Sequence, residues 1–136
     1  RPAVSVYWPL HLREQLTLRL RMCFGDCSER DQAVLLAQVR TLAQEEWTAT
    51  LALAEVAADS DLAASLRAMA SRALFGLEPE LLRRLDTEVL RNNPNPLIRH
   101  GVLLGMGDYG DWDGVRGFLT DQHPLLQEEA ADLLEP

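Results

Sequence analysis

Cys23 and Cys27 flank Gly25 with a C-x₃-C spacing that is suited to metal or redox chemistry. With His11 they would supply part of a zinc site, but tetrahedral zinc needs a fourth ligand that the nearby sequence does not offer. A local disulfide is the alternative if the protein is exported. We expect two unpaired thiols, since free cysteine packs as a small hydrophobic residue, and we predict no metal site.

A second candidate is the acidic stretch that contains Asp111, Asp113 and Gly114. Carboxylates at alternate positions before a glycine occur in calcium-binding EF-hand loops, which need an oxygen ligand in the first position and Glu in the twelfth. In this register Tyr109 is first and Thr120 is last. The stretch therefore predicts a turn between repeats, with Asp111 as the N-cap of the next helix.

The other reactive side chains form no recognisable catalytic set. His11, His100 and His123 are far apart in the sequence, and no serine or cysteine is evidently paired with a base. All thirteen basic residues are arginine, and the absence of lysine excludes Schiff-base catalysis and a phosphate-binding P-loop. We predict a protein that is not an enzyme and holds no cofactor.

The charge is acidic and uneven. The net charge is −8, and it falls from +2 over residues 1–40 to −3 over 41–76 and −7 over 77–136. Nucleic-acid affinity depends on cationic contacts, so we predict no nucleic-acid partner unless Arg13, Arg19 and Arg21 form a local patch. No apolar run reaches the roughly 18 residues of a membrane span. A cytoplasmic location is expected, and the periplasm and the cell exterior stay open.

Three segments of the chain repeat one another and predict the elements that position these residues. Each begins with a polar or proline-containing turn and continues into a helical pattern; they are residues 61–74, 93–106 and 121–134. At offsets of 32 and 28 residues, the aligned pairs are Leu66-Arg67, Ile98-Arg99 and Leu126-Gln127. Repetition at this period is typical of stacked helical repeats, in which each unit buries its apolar face against its neighbours.

Apolar spacing, capping residues and prolines predict an all-α fold, a short α-solenoid of antiparallel helix pairs. The expected helices lie at about 28–44, 46–58, 61–75, 79–90, 97–106, 111–119 and 124–134. A turn is expected at residues 107–110.

Residues 1–28 are expected to form a separate N-terminal segment before a repeat domain at 29–136. Leu12, Leu16 and Leu20 recur at helical spacing and favour a helix at about 10–24. Leu16, Leu18 and Leu20 also alternate with polar residues, which is the period of a strand. A helix and a β-hairpin both stay open for this segment.

Residues 95–108, with the sequence NPLIRHGVLLGMGD, resemble the second helix of a HEAT repeat, and residues 121–134 resemble it again. The resemblance covers about residues 46–136 and is nearest to the compact type named after phycobilisome lyases. Arg67 and Arg99 match the arginine that braces the turn in that family, whereas Gln127 departs from it. A TPR fold is the rival, but residues 105–110 leave too little room for its first helix.

The resemblance implies a non-catalytic scaffold or adaptor that presents a helical-repeat groove to a protein partner. The acidic surface favours a partner with a basic surface. The candidate partner-binding residues are Arg67, Ser71, Arg99, His100, Tyr109 and Trp112. An accessory subunit of a chromophore lyase or of another HEAT-like enzyme, and a fragment of a larger solenoid, are the alternatives.

Overall fold

The computed structural model describes Gln15 and residues 18–20 and 28–135, and over these residues the secondary structure is entirely helical. The predicted all-α fold is therefore confirmed. The helices are α1 (Glu29–Glu45), α2 (Trp47–Ala58), α3 (Ala64–Phe75), α4 (Pro79–Leu82), α5 (Glu88–Arg91), α6 (Pro96–Tyr109), α7 (Trp112–Gly117), which continues into a 3₁₀ turn at Phe118–Thr120, and α8 (Pro124–Leu134).

Side-chain caps fix where four of these helices begin. The Ser28 hydroxyl accepts the N–H of Asp31 at the start of α1, and the Asp111 carboxylate accepts the N–H of Gly114 at the start of α7. Each cap satisfies a backbone donor that has no partner within its helix. The predicted role of Asp111 as a helix cap is therefore confirmed. The corresponding caps of α6 and α8 are Asn95 and His123.

Three predicted boundaries are wrong. The helix expected from 79 to 90 is two short helices, α4 and α5, because the chain turns between them and the Asp86 carboxylate accepts the N–H of Glu88. The expected turn at 107–110 is mostly helix, since α6 ends only where Gly110 adopts a left-handed conformation at φ 94°. The helix expected from 61 begins at Ala64 because Asp59 caps a turn at Asp61.

The N-terminal segment is described at four positions, and all four are helical. Leu20 is completely buried and joins the same apolar core as the later helices. The described positions of this segment are therefore helical, as in the first of the two predicted alternatives, and not part of a hairpin. His11, Cys23, Cys27 and the remaining positions before Ser28 lie outside the described residues. The division of the chain at residue 28 stays a prediction.

Packing brings the repeated segments side by side. Helix α3 packs against α1, α2 and, most extensively, α6, and α6 packs in turn against α7 and α8. The positions aligned in the sequence share one core, and all are buried except Leu134, which is partly buried; they are Leu66, Ala70, Leu74, Ile98, Val102, Met106, Leu126, Ala130 and Leu134. None of the helices in the described part of the chain has both the length and the apolar character needed to cross a membrane.

Gly101 and Gly105 allow the close approach of α6 to α3. A Cβ atom on Gly101 would collide with the backbone carbonyl oxygen of Ala68, and one on Gly105 would lie 2.6 Å from the carbonyl oxygen of Arg72. Backbone cannot move aside as a flexible side chain can. The two helices therefore require glycine at these positions.

We expect Gly101→Ala to lower the free energy of unfolding by about 1–2 kcal/mol, since the collision outweighs the gain in helix propensity. Gly117→Ala is the matched control, because a Cβ there meets nothing within 4 Å. Gly117→Ala should raise the free energy of unfolding by about 0.4–1 kcal/mol. Urea denaturation of both variants measures the difference, and two changes of the same sign would contradict the packing argument.

Candidate functional site

The turn before α6 is held by a set of side-chain contacts. Asn93 Oδ1 accepts the N–H of Asn95 at 2.9 Å, and Asn95 Oδ1 accepts the N–H of Leu97 at 2.9 Å. Arg99, one turn into α6, donates from Nη1 to the carbonyl oxygen of Asn93 at 2.7 Å. The arginine thus braces the turn from which its own helix begins.

The turn before α8 repeats this set 28 residues later. Asp121 Oδ2 accepts the N–H of His123 at 2.9 Å, and His123 Nδ1 accepts the N–H of Leu125 at 3.2 Å. Gln127 donates from its side-chain amide to the carbonyl oxygen of Asp121, so it takes over the contact that Arg99 makes in the previous unit. The sequence repeat is therefore also a repeat of hydrogen bonds.

Arg99 also joins the two units. Its Nε and Nη2 donate to the two carboxylate oxygens of Asp121, each at 3.1 Å, and the two side chains are only 10% and 11% exposed. Burial by itself raises the pKa of Asp121, but the hydrogen bonds from Arg99 and from the His123 backbone outweigh it and hold that pKa below its usual 3.8. The pair is a charged joint between α6 and the turn before α8.

Arg67 and Ser71 make hydrogen bonds inside the preceding unit. Arg67 Nε donates to the carbonyl oxygen of Ala57 at 2.9 Å, which connects α3 to the end of α2. Ser71 is completely buried, and its hydroxyl donates to the carbonyl oxygen of Arg67 at 2.8 Å. Of the six residues predicted for partner binding, Arg67 and Arg99 thus connect their helices to neighbouring segments and Ser71 bonds within its own helix. Ser71 and Arg99 are both buried.

The other three predicted residues are accessible. Tyr109 and Trp112 are exposed on either side of Gly110. His100 is half-buried, and its Nε2 lies 3.3 Å from Glu129 Oε1 on α8. The structure therefore places His100 on a different surface of α6 from the buried Arg99.

A shallow groove of about 200 Å³ runs past His100 between α1, α3 and α6. Its lining is mainly apolar; from α1 come Gln32 and Leu36, from α3 Ser65, Ala68, Met69 and Arg72, and from α6 Leu97, His100, Gly101 and Leu104. Ala68 on α3 is buried and Leu97 on α6 is 44% exposed, so we call Ala68 the floor of the groove and Leu97 part of its wall. This groove is the candidate functional site.

The groove is built from equivalent positions of the repeats. The four residues that line it from α6 stand 32 positions after the four from α3. The same positions on α8, 28 residues further on, are Leu125, Glu128, Glu129 and Asp132. The surface thus continues from an apolar groove at α3 to an acidic helix at α8, and the contact between His100 and Glu129 connects the two parts.

A cluster of three charges includes Arg72, which also lines the groove. Asp108 on α6 accepts hydrogen bonds from Arg72 Nε on α3 and Arg40 Nη2 on α1, both at 2.8 Å. Arg40 also donates to the carbonyl oxygens of Arg72 and Ala73 in the last turn of α3. Burial works against the ionised Asp108, but the two arginines outweigh it and lower its pKa below 3.8. No sequence pattern indicates this cluster, because its members lie up to 68 positions apart.

A larger cleft of about 410 Å³ lies beside α7, and its mixed polar and apolar lining includes Arg91, Phe118 and Asp121. Asp121 is bonded to Arg99, so a carboxylate that lines this cleft already belongs to the joint between units. Within the described residues, no three or more His, Cys, Asp or Glu side chains come together in a way that would hold a metal ion.

Comparisons with protein-family models, with curated proteins and with solved structures find no match for this chain.

We expect Arg99→Ala to lower the free energy of unfolding by about 3 kcal/mol, since it leaves the Asp121 carboxylate and the Asn93 carbonyl without their partner. Arg116→Ala is the control, because Arg116 pairs with Asp113 at an exposed position and should change stability very little. Urea denaturation at neutral pH measures both. Equal effects of the two variants would show that the joint adds nothing beyond a surface ion pair.

Asp108 and Asp121 should make the fold acid-sensitive. Their folded-state pKa values lie below 3.8, so the stability they contribute is present above 3.8 and is lost as the pH falls from there towards the folded pKa values. The double variant Asp108→Asn and Asp121→Asn should be less stable at neutral pH but lose less stability on acidification. Urea midpoints measured from neutral pH to about pH 3 test this, and an equally steep fall in both proteins would contradict it.

Proposed function

We propose that this chain is a non-catalytic protein-interaction scaffold of HEAT-like repeats and that it presents the groove between α1, α3 and α6 to a protein partner. The observation that carries the proposal is the groove itself, an accessible apolar surface made from equivalent positions of successive repeats. Stacked repeats commonly bind partners on such continuous surfaces.

The two carboxyl groups with shifted pKa values, one bonded to Arg72 of the groove and one in the joint between units, favour a binding role over acid–base chemistry. Asp108 is bonded to two arginines and Asp121 to a third, and both carboxyl groups have lowered pKa values. A general acid or base at neutral pH needs a pKa near the working pH. These carboxylates stay ionised and hold helices together, while the apolar lining beside them is left accessible for contact.

The surrounding charge favours a basic partner. Residues 29–136 carry nine arginines against nineteen acidic side chains, and several of those arginines are bonded within the fold. Opposite charge accelerates encounter and disfavours acidic competitors. The partner is therefore a protein with a basic surface around an apolar contact.

Site-specific photocrosslinking tests this proposal. The photoreactive residue p-benzoylphenylalanine replaces Leu97, which is 44% exposed on the groove wall, or Val89, which is 56% exposed on α5. We expect irradiation in the cells that naturally make the protein to give one discrete protein adduct from position 97 and none from position 89.

Mass spectrometry of the crosslinked peptide identifies the partner and the contact. No protein adduct from position 97, or the same adducts from both positions, would overturn the assignment of the groove as a docking surface.

A further inference from the structure

The groove is matched in size to one side chain. Its volume of about 200 Å³ is close to that of an engineered cavity of roughly 150 Å³ that admits benzene. It therefore has room for one leucine- or phenylalanine-sized group. Interfaces commonly depend on such an anchor, a large side chain that enters a pocket and is surrounded by weaker contacts.

The surface beside the groove is acidic on one side. Glu128, Glu129 and Asp132 follow one another along the same face of α8 as the exposed Leu125, at the spacing that brings helix residues together. Glu129 contacts His100 in the groove wall. A chain that leaves the groove across α6 thus meets carboxylates on the next helix.

The distance between these features sets a spacing in the partner. Packed helices lie roughly 8–10 Å apart, so α8 is about one interhelical step from the groove wall at α6 and about two steps from its floor at α3. An extended chain advances about 3.3 Å per residue. Basic residues that meet α8 therefore stand about three to six positions from the anchor.

We infer that the occupant of the groove is an extended peptide segment that inserts one leucine or phenylalanine between α1, α3 and α6 and places two or more lysines or arginines over α8. This inference rests on the proposed function and specifies its partner. Charge complementarity selects the basic segment, and the size of the groove selects the single anchor.

Panning a library of random 12-residue linear peptides on the intact protein tests the inference without knowledge of the natural partner. We expect enriched peptides to share one large apolar residue and a basic cluster about three to six positions away. Synthetic versions of the enriched peptides then serve as the probes for fluorescence-anisotropy titrations.

Two sets of variants separate the anchor from the charges. Ala68→Leu fills the floor of the groove, and Leu97→Gln removes apolar area at an exposed wall position where folding is not at risk. Each should weaken peptide binding, Ala68→Leu by about thirtyfold. Glu128→Lys with Asp132→Lys should weaken binding by about tenfold at low salt and remove most of its salt dependence.

Glu45→Lys with Glu78→Lys is the control, since it makes the same change in net charge at exposed positions that do not line the groove. It should leave binding within about twofold of wild type.

Each failure has a distinct meaning. If neither groove variant changes the affinity of the peptides, the groove is not their binding site, although the scaffold proposal would stand. Peptides that lack basic residues, or that bind the α8 variant as tightly as wild type, would overturn the basic partner. If no peptide is enriched while position 97 still crosslinks to a protein in cells, the partner docks as a folded surface and the inference of an extended segment is wrong.

Discussion

The close approach of α6 to α3 is the constraint on which the rest of the structure depends. Gly101 and Gly105 place the backbone of α6 against the carbonyl groups of α3, and this contact is the most extensive between any two helices in the described part of the chain. It brings Asp108 within reach of Arg72, and it sets how far the wall formed by Leu97 and Leu104 stands from the floor. A wider separation would break the ion pair and change the width of the groove.

Polar residues in this molecule divide into two groups with different tasks. Arg99, Asp121 and Asn93 are turned inward, where removal from water strengthens each hydrogen bond and makes each loss costly. Glu128 and Asp132 are turned outward on α8 and are exposed, so they influence association more than folding. Substitutions in the first group act on stability, and substitutions in the second act on binding.

The sequence was sufficient for the features that depend on local chemistry. The caps at Ser28 and Asp111 and the shared burial of Leu66, Ile98 and Leu126 follow from residue type and period alone. The break between α4 and α5 could not be predicted from residue type and period. Its leucines are spaced as they would be in one continuous helix; they are Leu81, Leu82, Leu85 and Leu90. The extension of α6 through Gly107 was missed because glycine there is a helix residue and not a turn residue.

The site was only partly predictable for a similar reason. The repeat offsets align the groove positions of α3 and α6 with each other and with four positions on α8, and of these only His100 is among the predicted partner-binding residues. Arg67 and Arg99 are hydrogen-bonded to backbone carbonyl oxygens within the fold, and residue type alone does not distinguish such an arginine from one that is exposed to a partner. The charge cluster at Asp108 could not have been found, because nothing in a single sequence pairs residues 40, 72 and 108.

That cluster also has a consequence for the order in which the molecule assembles. The bonds from Arg72 to Asp108 close 36 residues of chain, whereas the bond from Arg40 closes 68. Longer loops cost more entropy to close and form more slowly, and the carboxylate that receives Arg40 is in place only once α3 and α6 have met. The bond from Arg40 to Asp108 therefore completes the cluster only after α3 and α6 have packed, whereas α1 can already dock on α3 through the shorter-range bonds from Arg40 to the carbonyl oxygens of Arg72 and Ala73.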